Sequence, residues 1–271
     1  MIKRLFMLSM VFWAVAAWMV AAGGPVAAKT PELVAGETRR VVEVIDGDTV
    51  VLAEPVEGSR EVRLVGLQAP KLPLDRPNFR AWPLAEDSKR ALESLVLGRE
   101  VRLSYGGQRR DRHGRRLAQL HLADGTWVQG RMLSLGMARV YTFADNRAEA
   151  AAMLALESEA RRAGRGLWAH PYYAVLTPER AAKALDTFQL VEGTVLDAAK
   201  VKGRLYLNFG PDWRTDFTAT ADAKALRLFA EAGLDPLPLE GRTLRLRGWL
   251  KSMNGPLIEL SHPEQIERIA P

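Results

Sequence analysis

The sequence predicts a mainly β fold with helices, an α+β architecture in which a small barrel carries packed helices and a second, smaller β unit follows. Three observations predict it. Short Val- and Leu-rich runs alternate with polar residues and stop at Asp-Gly, Gly-Gly or Asn-Gly-Pro. Longer runs rich in Ala, Leu and Glu place apolar residues at helical spacing and close on glycine. The order of these runs is strands, helix, strands and two helices, then three strands, a helix and two strands.

The first segment stands apart from this pattern. Lys3 and Arg4 precede Leu5 to Ala22, which is apolar apart from Ser9, and Gly23-Gly24-Pro25-Val26-Ala27-Ala28 follows. Residues 1–28 read as a secretory signal that places the protein in the periplasm or outside the cell. The apolar run is longer than a typical leader core, so an uncleaved N-terminal anchor is the alternative. No other stretch of the sequence is long and apolar enough to span a membrane. Residues 29–38 read as a polar linker.

Arg39 to Leu52 alternates and is rich in Val, with Asp46-Gly47 marking a bulge or tight turn. A second strand runs from about Arg60 to Leu67. Pro70, Pro73, Pro77 and Pro83 then impose a long loop. Leu84 to Leu97 has helical spacing and ends at Gly98. Strands are expected at Glu100 to Tyr105 and Leu117 to Ala123, a helix at Thr126 to Leu135 and a short strand at Met137 to Phe143. Arg147 to Ala163 is a helix ended by Gly164 and Gly166. This first unit, residues 39–172, suits a barrel with helices packed on it.

A connector, 173–187, carries a short helix over Glu179 to Leu185. The second unit, 188–271, has strands at Phe188 to Leu196, Arg204 to Phe209 and Asp216 to Ala221. A helix at Asp222 to Ala232 follows, then strands at Thr243 to Leu250 and Leu257 to Leu260. Three strands, a helix and two strands is the order of an OB-fold, so this unit is expected to be a smaller OB-like barrel.

The 271 residues contain no cysteine, which excludes disulfides, thiol catalysis and thiolate metal sites. Charge is unevenly placed. Residues 39–172 hold 22 Lys and Arg against 17 Asp and Glu, whereas 179–271 hold 13 of each. The first unit therefore carries the anion-attracting field, although a modest positive charge is usually only a solvated surface.

The chemistry concentrates in Val41 to Lys71 and in Arg110 to Ala118. Asp46-Gly47-Asp48-Thr49 is most often just a turn in a β context, and it lacks the acidic positions of an EF-hand. Arg63 lies in the apolar strand Val62 to Val65, where an arginine more often pairs with a carboxylate than with a ligand. Arg115 follows a glycine turn, where an arginine is usually a solvated tip. Yet a guanidinium binds phosphate oxygens through two parallel hydrogen bonds. Two of them stabilise the charge that grows in phosphodiester cleavage.

Six motifs in order resemble the staphylococcal nuclease (thermonuclease) family over residues 39–168. They are Ile45 to Val50, Arg63 to Pro70, Asp111-Arg112-His113-Gly114-Arg115, Gly136 to Val140, Ser158-Glu159-Ala160 and Trp168. The resemblance implies an OB-fold barrel with packed helices and, in active members, calcium-dependent cleavage of DNA and RNA. It assigns Asp48 to a calcium-binding carboxylate, and Arg63 and Arg115 to the catalytic arginines. Gln68 stands where active members have a second calcium-binding Asp, and Lys71 where they have the Glu taken as the base. Ala69 replaces a Thr. His113 replaces a nucleotide-contacting Tyr, and Tyr141 falls one residue from the place of another.

These departures have physical consequences. Calcium affinity follows the number of charged oxygen ligands, and Gln68 offers only a neutral carbonyl. Lys71, with a reference pKa of about 10.4, cannot accept a proton at neutral pH and repels a cation beside Asp48. Loss of a general base costs about 10²- to 10⁴-fold in rate. Calcium, if bound, is therefore held weakly through Asp48 and Gln68.

Three accounts are open. The first is a nucleic-acid-binding protein with weakened or lost hydrolysis, which contacts DNA or RNA through Asp48, Arg63, Arg115 and Lys71. The second is an active phosphodiesterase with its base moved to Asp75, Glu86 or His113. The third is an envelope interaction module without a nucleic-acid role. In the second unit, Tyr206, Phe209, Trp213 and Phe217 read either as a base-stacking platform or, more often for strand aromatics, as core. Arg245 and Arg247 share a strand face, and His121, His170 and His262 lack metal-ligand spacing.

Overall fold

The computed structural model describes residues 32–268; the expected signal at 1–28 lies outside the described residues. Among those described, no helix is long and apolar enough to cross a membrane.

The Val-rich run expected as one interrupted strand is a hairpin. Strands β1 (Val34–Asp46) and β2 (Thr49–Val56) meet at a two-residue turn, Gly47-Asp48, with Asp46 paired to Thr49. Strand β1 begins inside the stretch expected as linker, because Val34 pairs with Tyr105. Strands β3 (Ser59–Leu64) and β4 (Gly66–Gln68) follow. After the proline loop come α1 (Ala85–Val96), β5 (Glu100–Tyr105), β6 (Arg116–Leu122), α2 (Val128–Ser134), β7 (Arg139–Tyr141) and α3 (Ala150–Arg162). Gly98 closes α1 at φ 73°, a conformation that only glycine adopts without strain.

Strands β1, β2, β3, β6 and β5 close into a barrel, parallel only between β3 and β6. Val41, Val50, Leu64, Leu103 and Leu120 fill it and are fully buried, and Leu92 and Met132 bring α1 and α2 onto the same core. Each such side chain contributes about 1.5–3 kcal/mol. Outside the barrel, β4 pairs with β7 and sets Gln68 opposite Arg139.

Three 3₁₀ helices, Gly166–Ala169, Pro171–Tyr173 and Pro178–Ala184, carry the chain onward, the last being the short helix expected there. Strands β8 (Phe188–Thr194), β9 (Asp197–Val201), β10 (Arg204–Asn208) and β11 (Thr218–Ala221) precede α4 (Ala223–Glu231). Strands β12 (Thr243–Ser252), β13 (Pro256–Leu260) and β14 (Ile266–Arg268) complete the unit. The sheet runs β9-β10-β11-β13-β12, with β8 and β14 also on β12, and only β11–β13 is parallel. Strands β8 and β9 act as two halves of one first strand, so the connectivity repeats that of the first barrel and is the OB order. Val191, Leu207, Ala219, Phe229, Leu246 and Ile258 form its separate core.

The second unit docks on β7 and α3 through a buried ionic network. Arg247, 2% exposed, bonds Glu157 at 2.7 Å and the Val140 carbonyl at 3.1 Å, and also reaches Glu267. Glu157 in turn accepts the Val140 N–H at 2.7 Å and Arg161 at 3.2 Å. Arg245 bridges Glu192 and Glu267 within the second unit, so of the two strand arginines noted in the sequence only Arg247 reaches across to the first. Arg147 grips Glu264 with two nitrogens, and Thr142 Oγ1 lies 2.8 Å from His262 Nε2.

Candidate functional site

The site starts at the β1–β2 turn. A Cβ on Gly47 would fall 1.9 Å from Ser88 Oγ and 2.7 Å from the Ala69 Cβ, so glycine lets the turn pack under α1 and the loop after β4. This close fit buries Asp48 completely and Asp46 almost completely.

A buried carboxylate needs partners, and Asp48 has four. Its Oδ2 accepts the Ala69 N–H at 2.7 Å and Lys71 Nζ at 2.8 Å. Its Oδ1 accepts Lys71 Nζ at 3.0 Å and the Thr49 hydroxyl at 3.2 Å, and forms an ion pair with Arg63 Nη1 at 2.9 Å. Burial works to raise the Asp48 carboxyl, but Arg63 and Lys71 outweigh it and hold it well below the usual carboxylate range. Asp46 accepts the Asp48 N–H at 3.1 Å and lies 3.4 Å from Lys71 Nζ. Burial and the Asp48 charge push Asp46 up, against the pull of Lys71. Lys71 thus bridges two carboxylates.

Arg63 is largely committed to the protein. Besides Asp48 it donates to the carbonyls of Asp48, Leu64 and Leu67, the last at 2.6 Å. Its Nε keeps no partner among the described residues. Arg63 pairs in register with Leu117 on β6, and Arg115 lies two residues before Leu117. Arg115, just before β6, therefore continues the outward row that holds Arg63 on the β3–β6 pair. Arg115 is held by Asp111, at 2.8 Å from Nε and 2.7 Å from Nη2, within a turn that Gly114 closes at φ 82°. No direct bond joins Arg115 to the Asp48 cluster among the described residues.

The other sequence-derived residues are dispersed. His113 is exposed at the tip of the Asp111 turn, in hydrogen-bond contact with Arg112. Tyr141 stacks edge-on against Phe143 and Phe188, and its hydroxyl accepts Trp249 Nε1 at 3.0 Å, so it is engaged by the second unit. Gln68 is buried and its carbonyl oxygen accepts Arg139 Nη2 at 3.0 Å. Burial pulls Arg139 down to about 10, still protonated at neutral pH. Asp75 and Glu86 are exposed and make no bond to the cluster.

These residues do not fit calcium, which takes six to eight oxygens at about 2.3–2.6 Å. Both Asp48 oxygens are occupied by the ammonium, the guanidinium, an amide and a hydroxyl, and the Gln68 oxygen is given to Arg139. Among the described residues no three metal-ligating side chains converge. Lys71 supplies the positive charge that the carboxylates require.

Comparison with known proteins identifies the family. A family model described as staphylococcal nuclease homologue matches residues 61–170. An uncharacterized endonuclease of Escherichia coli O157:H7 is 35% identical over 138 residues, 51% of this chain and 81% of that protein. The chain belongs to the staphylococcal nuclease family. The thermonuclease of Staphylococcus hyicus is 24% identical over 135 residues, 49% of this chain and 77% of that protein. Endonuclease YncB of Bacillus subtilis is 31% identical over 132 residues, 48% of this chain and 60% of that protein. The family-model match ends at His170, before the second barrel.

Sequence reasoning missed three residues that shape the family site in this chain. Asp46 is the second carboxylate of the centre, Asp111 occupies Arg115, and Arg139 occupies Gln68. All three stand in the very motifs that define the resemblance, but only the β4–β7 pairing sets Arg139 against Gln68.

Proposed function

We propose that this protein is an exported member of the staphylococcal nuclease family that binds nucleic acid through its phosphodiester backbone, with weakened or lost hydrolysis. The observation that carries this reading is Lys71 Nζ, 2.8 Å and 3.0 Å from the two Asp48 oxygens. An ammonium there opposes a divalent cation and is no base. Arg63 and Arg115 offer the outward guanidinium row, where N–H groups meet non-bridging phosphate oxygens. Arg115 must yield part of its bond to Asp111 to do so, which makes binding weak and salt-sensitive.

Incubation with single-stranded DNA, duplex DNA and RNA, with calcium or with chelator, tests the reading. It expects retention of labelled nucleic acid at low salt and intact substrate in both conditions. Calcium-dependent degradation at rates like those of active family members would sink it. Absence of any nucleic-acid binding would favour the envelope interaction module. Export is checked by the N-terminal residue and compartment of the mature protein.

A second reading, active hydrolysis, is favoured by Asp46. It is a further carboxylate in the centre, and burial beside Asp48 raises its proton affinity. The relatives named as endonucleases agree with that reading. Cleavage abolished by Asp46→Asn with the fold intact would select it.

A further inference from the structure

We propose that the second barrel carries a stacking groove for the bases of a single-stranded nucleic acid, an inference that rests on the function proposed above. A groove of about 440 Å³ lies on the outward face of β10 and β11, lined by Tyr206, Asn208, Trp213, Met253, Asn254 and Leu257 among others. It sits between the β9–β10 and β12–β13 turns. That is the face on which barrels of this connectivity take oligonucleotides and oligosaccharides.

The aromatics are presented, not packed. Trp213 is 51% exposed and Met253 50%, whereas Phe209 and Phe217 are buried in the core. The loop carrying Trp213 is rigid. Asp212 N–H bonds Asp216 at 2.8 Å, Arg214 N–H bonds Asp212 at 3.1 Å, and the backbone of Gly255 packs against Thr215 so closely that a Cβ would fall 2.5 Å from its carbonyl oxygen. Tyr206 projects from β10 between the two turns, and its hydroxyl has no partner among the described residues. A strand tyrosine and a loop tryptophan that line one groove offer faces on which bases stack, at little cost in ordering.

Charge fits the backbone of such a strand. The lining itself is uncharged, as base faces require. The nearby carboxylates are engaged: Asp197 with Asn208, Glu259 with Lys251, and Asp212 and Asp216 within the loop. Lys202 and Arg204 have no carboxylate partner among the described residues, and the Arg214 guanidinium lies 4.6 Å from the centre of the Trp213 ring. Arg204 stands two residues from Tyr206 on the same strand face. With Thr220 and Lys224 it lines a second cavity of about 210 Å³ that reaches Ala144 of the first unit. Ala144 follows β7, the partner of the strand that leads to Lys71. Asp222 and Glu259 also line this cavity, so the cations that face the groove itself are Lys202, Arg204 and Arg214. The first barrel supplies the net positive field and the second supplies stacking.

The test uses the full-length chain in chelator and two labelled oligomers of roughly twenty nucleotides, longer than the roughly 4–16 that one such barrel covers. One is oligothymidylate and the other is its abasic counterpart. Wild type is expected to prefer oligothymidylate. Trp213→Ala and Tyr206→Ala should each weaken that binding by roughly 5- to 100-fold, with abasic binding and the salt slope unchanged. Circular dichroism checks that each variant is folded. Equal binding of both oligomers by wild type, with loss in Arg63→Ala or Arg115→Ala, overturns this inference and leaves the proposed function standing. Absence of binding to either oligomer at low salt overturns both. Binding of a neutral cello-oligosaccharide that Trp213→Ala abolishes, with oligothymidylate affinity untouched by that variant, overturns it in favour of a sugar site.

Discussion

Lys71 Nζ lies within 3.0 Å of both carboxylate oxygens of Asp48 and 3.4 Å from Asp46. The ammonium is therefore structural as well as electrostatic, since it keeps two buried carboxylates from facing each other unscreened. Lys71→Ala is expected to lower stability at pH 7 by roughly 1–3 kcal/mol, less than a fully buried pair because the lysine is partly exposed. Asp48 is held low, so its contribution is present above the unfolded carboxylate pKa of about 3.9 and is lost as pH falls below that. Urea unfolding of both proteins at pH 7 and pH 3 measures this. A gap that persists undiminished in acid contradicts the assignment.

Arg115 is expected to meet phosphate without reading bases. Arg115→Ala should weaken binding alike for every sequence and reduce the salt slope by about one. Asp111→Asn, which leaves the turn its acceptor oxygen but removes the charge, should strengthen binding a few-fold. Anisotropy titrations across a salt series decide both, and an unchanged slope in Arg115→Ala places the phosphate contact elsewhere.

The two units share the Arg247–Glu157 pair. Glu157→Ala leaves a buried guanidinium short of one of its two carboxylate partners and should cost about 3–5 kcal/mol. Arg247→Met on that background should recover part of the loss, which gives a coupling of about 0.5–3 kcal/mol in a double-mutant cycle. Additive effects would mean that the pair is not an energetic link.

His262 gives the same interface a pH dependence. Burial pulls it down to about 4, with Arg147 and Arg247 adding to the effect and Glu264 opposing it. The unfolded value is about 6.5. The unfolded chain therefore binds the proton first, and stability present above about pH 6.5 is lost as pH falls toward 4, by up to roughly 3 kcal/mol. His262→Gln lacks this titration, so its deficit against wild type should narrow between pH 7 and pH 4.5. Parallel curves would remove His262 from the account.

The first barrel was legible because its signals are local. Asp48, Arg63 and Lys71 fall within 24 consecutive residues, and the β1–β2 turn, β3 and the start of the proline loop bring them together. Asp46 was overlooked as a site residue because alternation predicts its direction only once the Gly47-Asp48 turn is known. The Arg139–Gln68 bond depends on pairing across 71 residues, which no local pattern encodes. Tyr141 reads as a nucleotide contact from the first unit alone, and it is the second unit's Trp249 that takes its hydroxyl. In the second barrel, β9 escaped notice because Asp197-Ala198-Ala199-Lys200-Val201 is a mostly exposed edge strand with small residues. Among the aromatics, Phe209 and Phe217 lie in the core, Tyr206 is half-buried on β10 and Trp213 is exposed on the loop after it, a split that the sequence pattern does not encode.

Lys71 stands where a cation would neutralise Asp48. Calcium titration of the metal-free protein, followed by calorimetry and by the unfolding midpoint, tests it most directly. Wild type should show no saturable heat and no rise in midpoint up to roughly millimolar calcium, whereas Gln68→Asp with Lys71→Glu should gain both. Saturable calcium binding by wild type that Asp48→Asn removes would contradict the account.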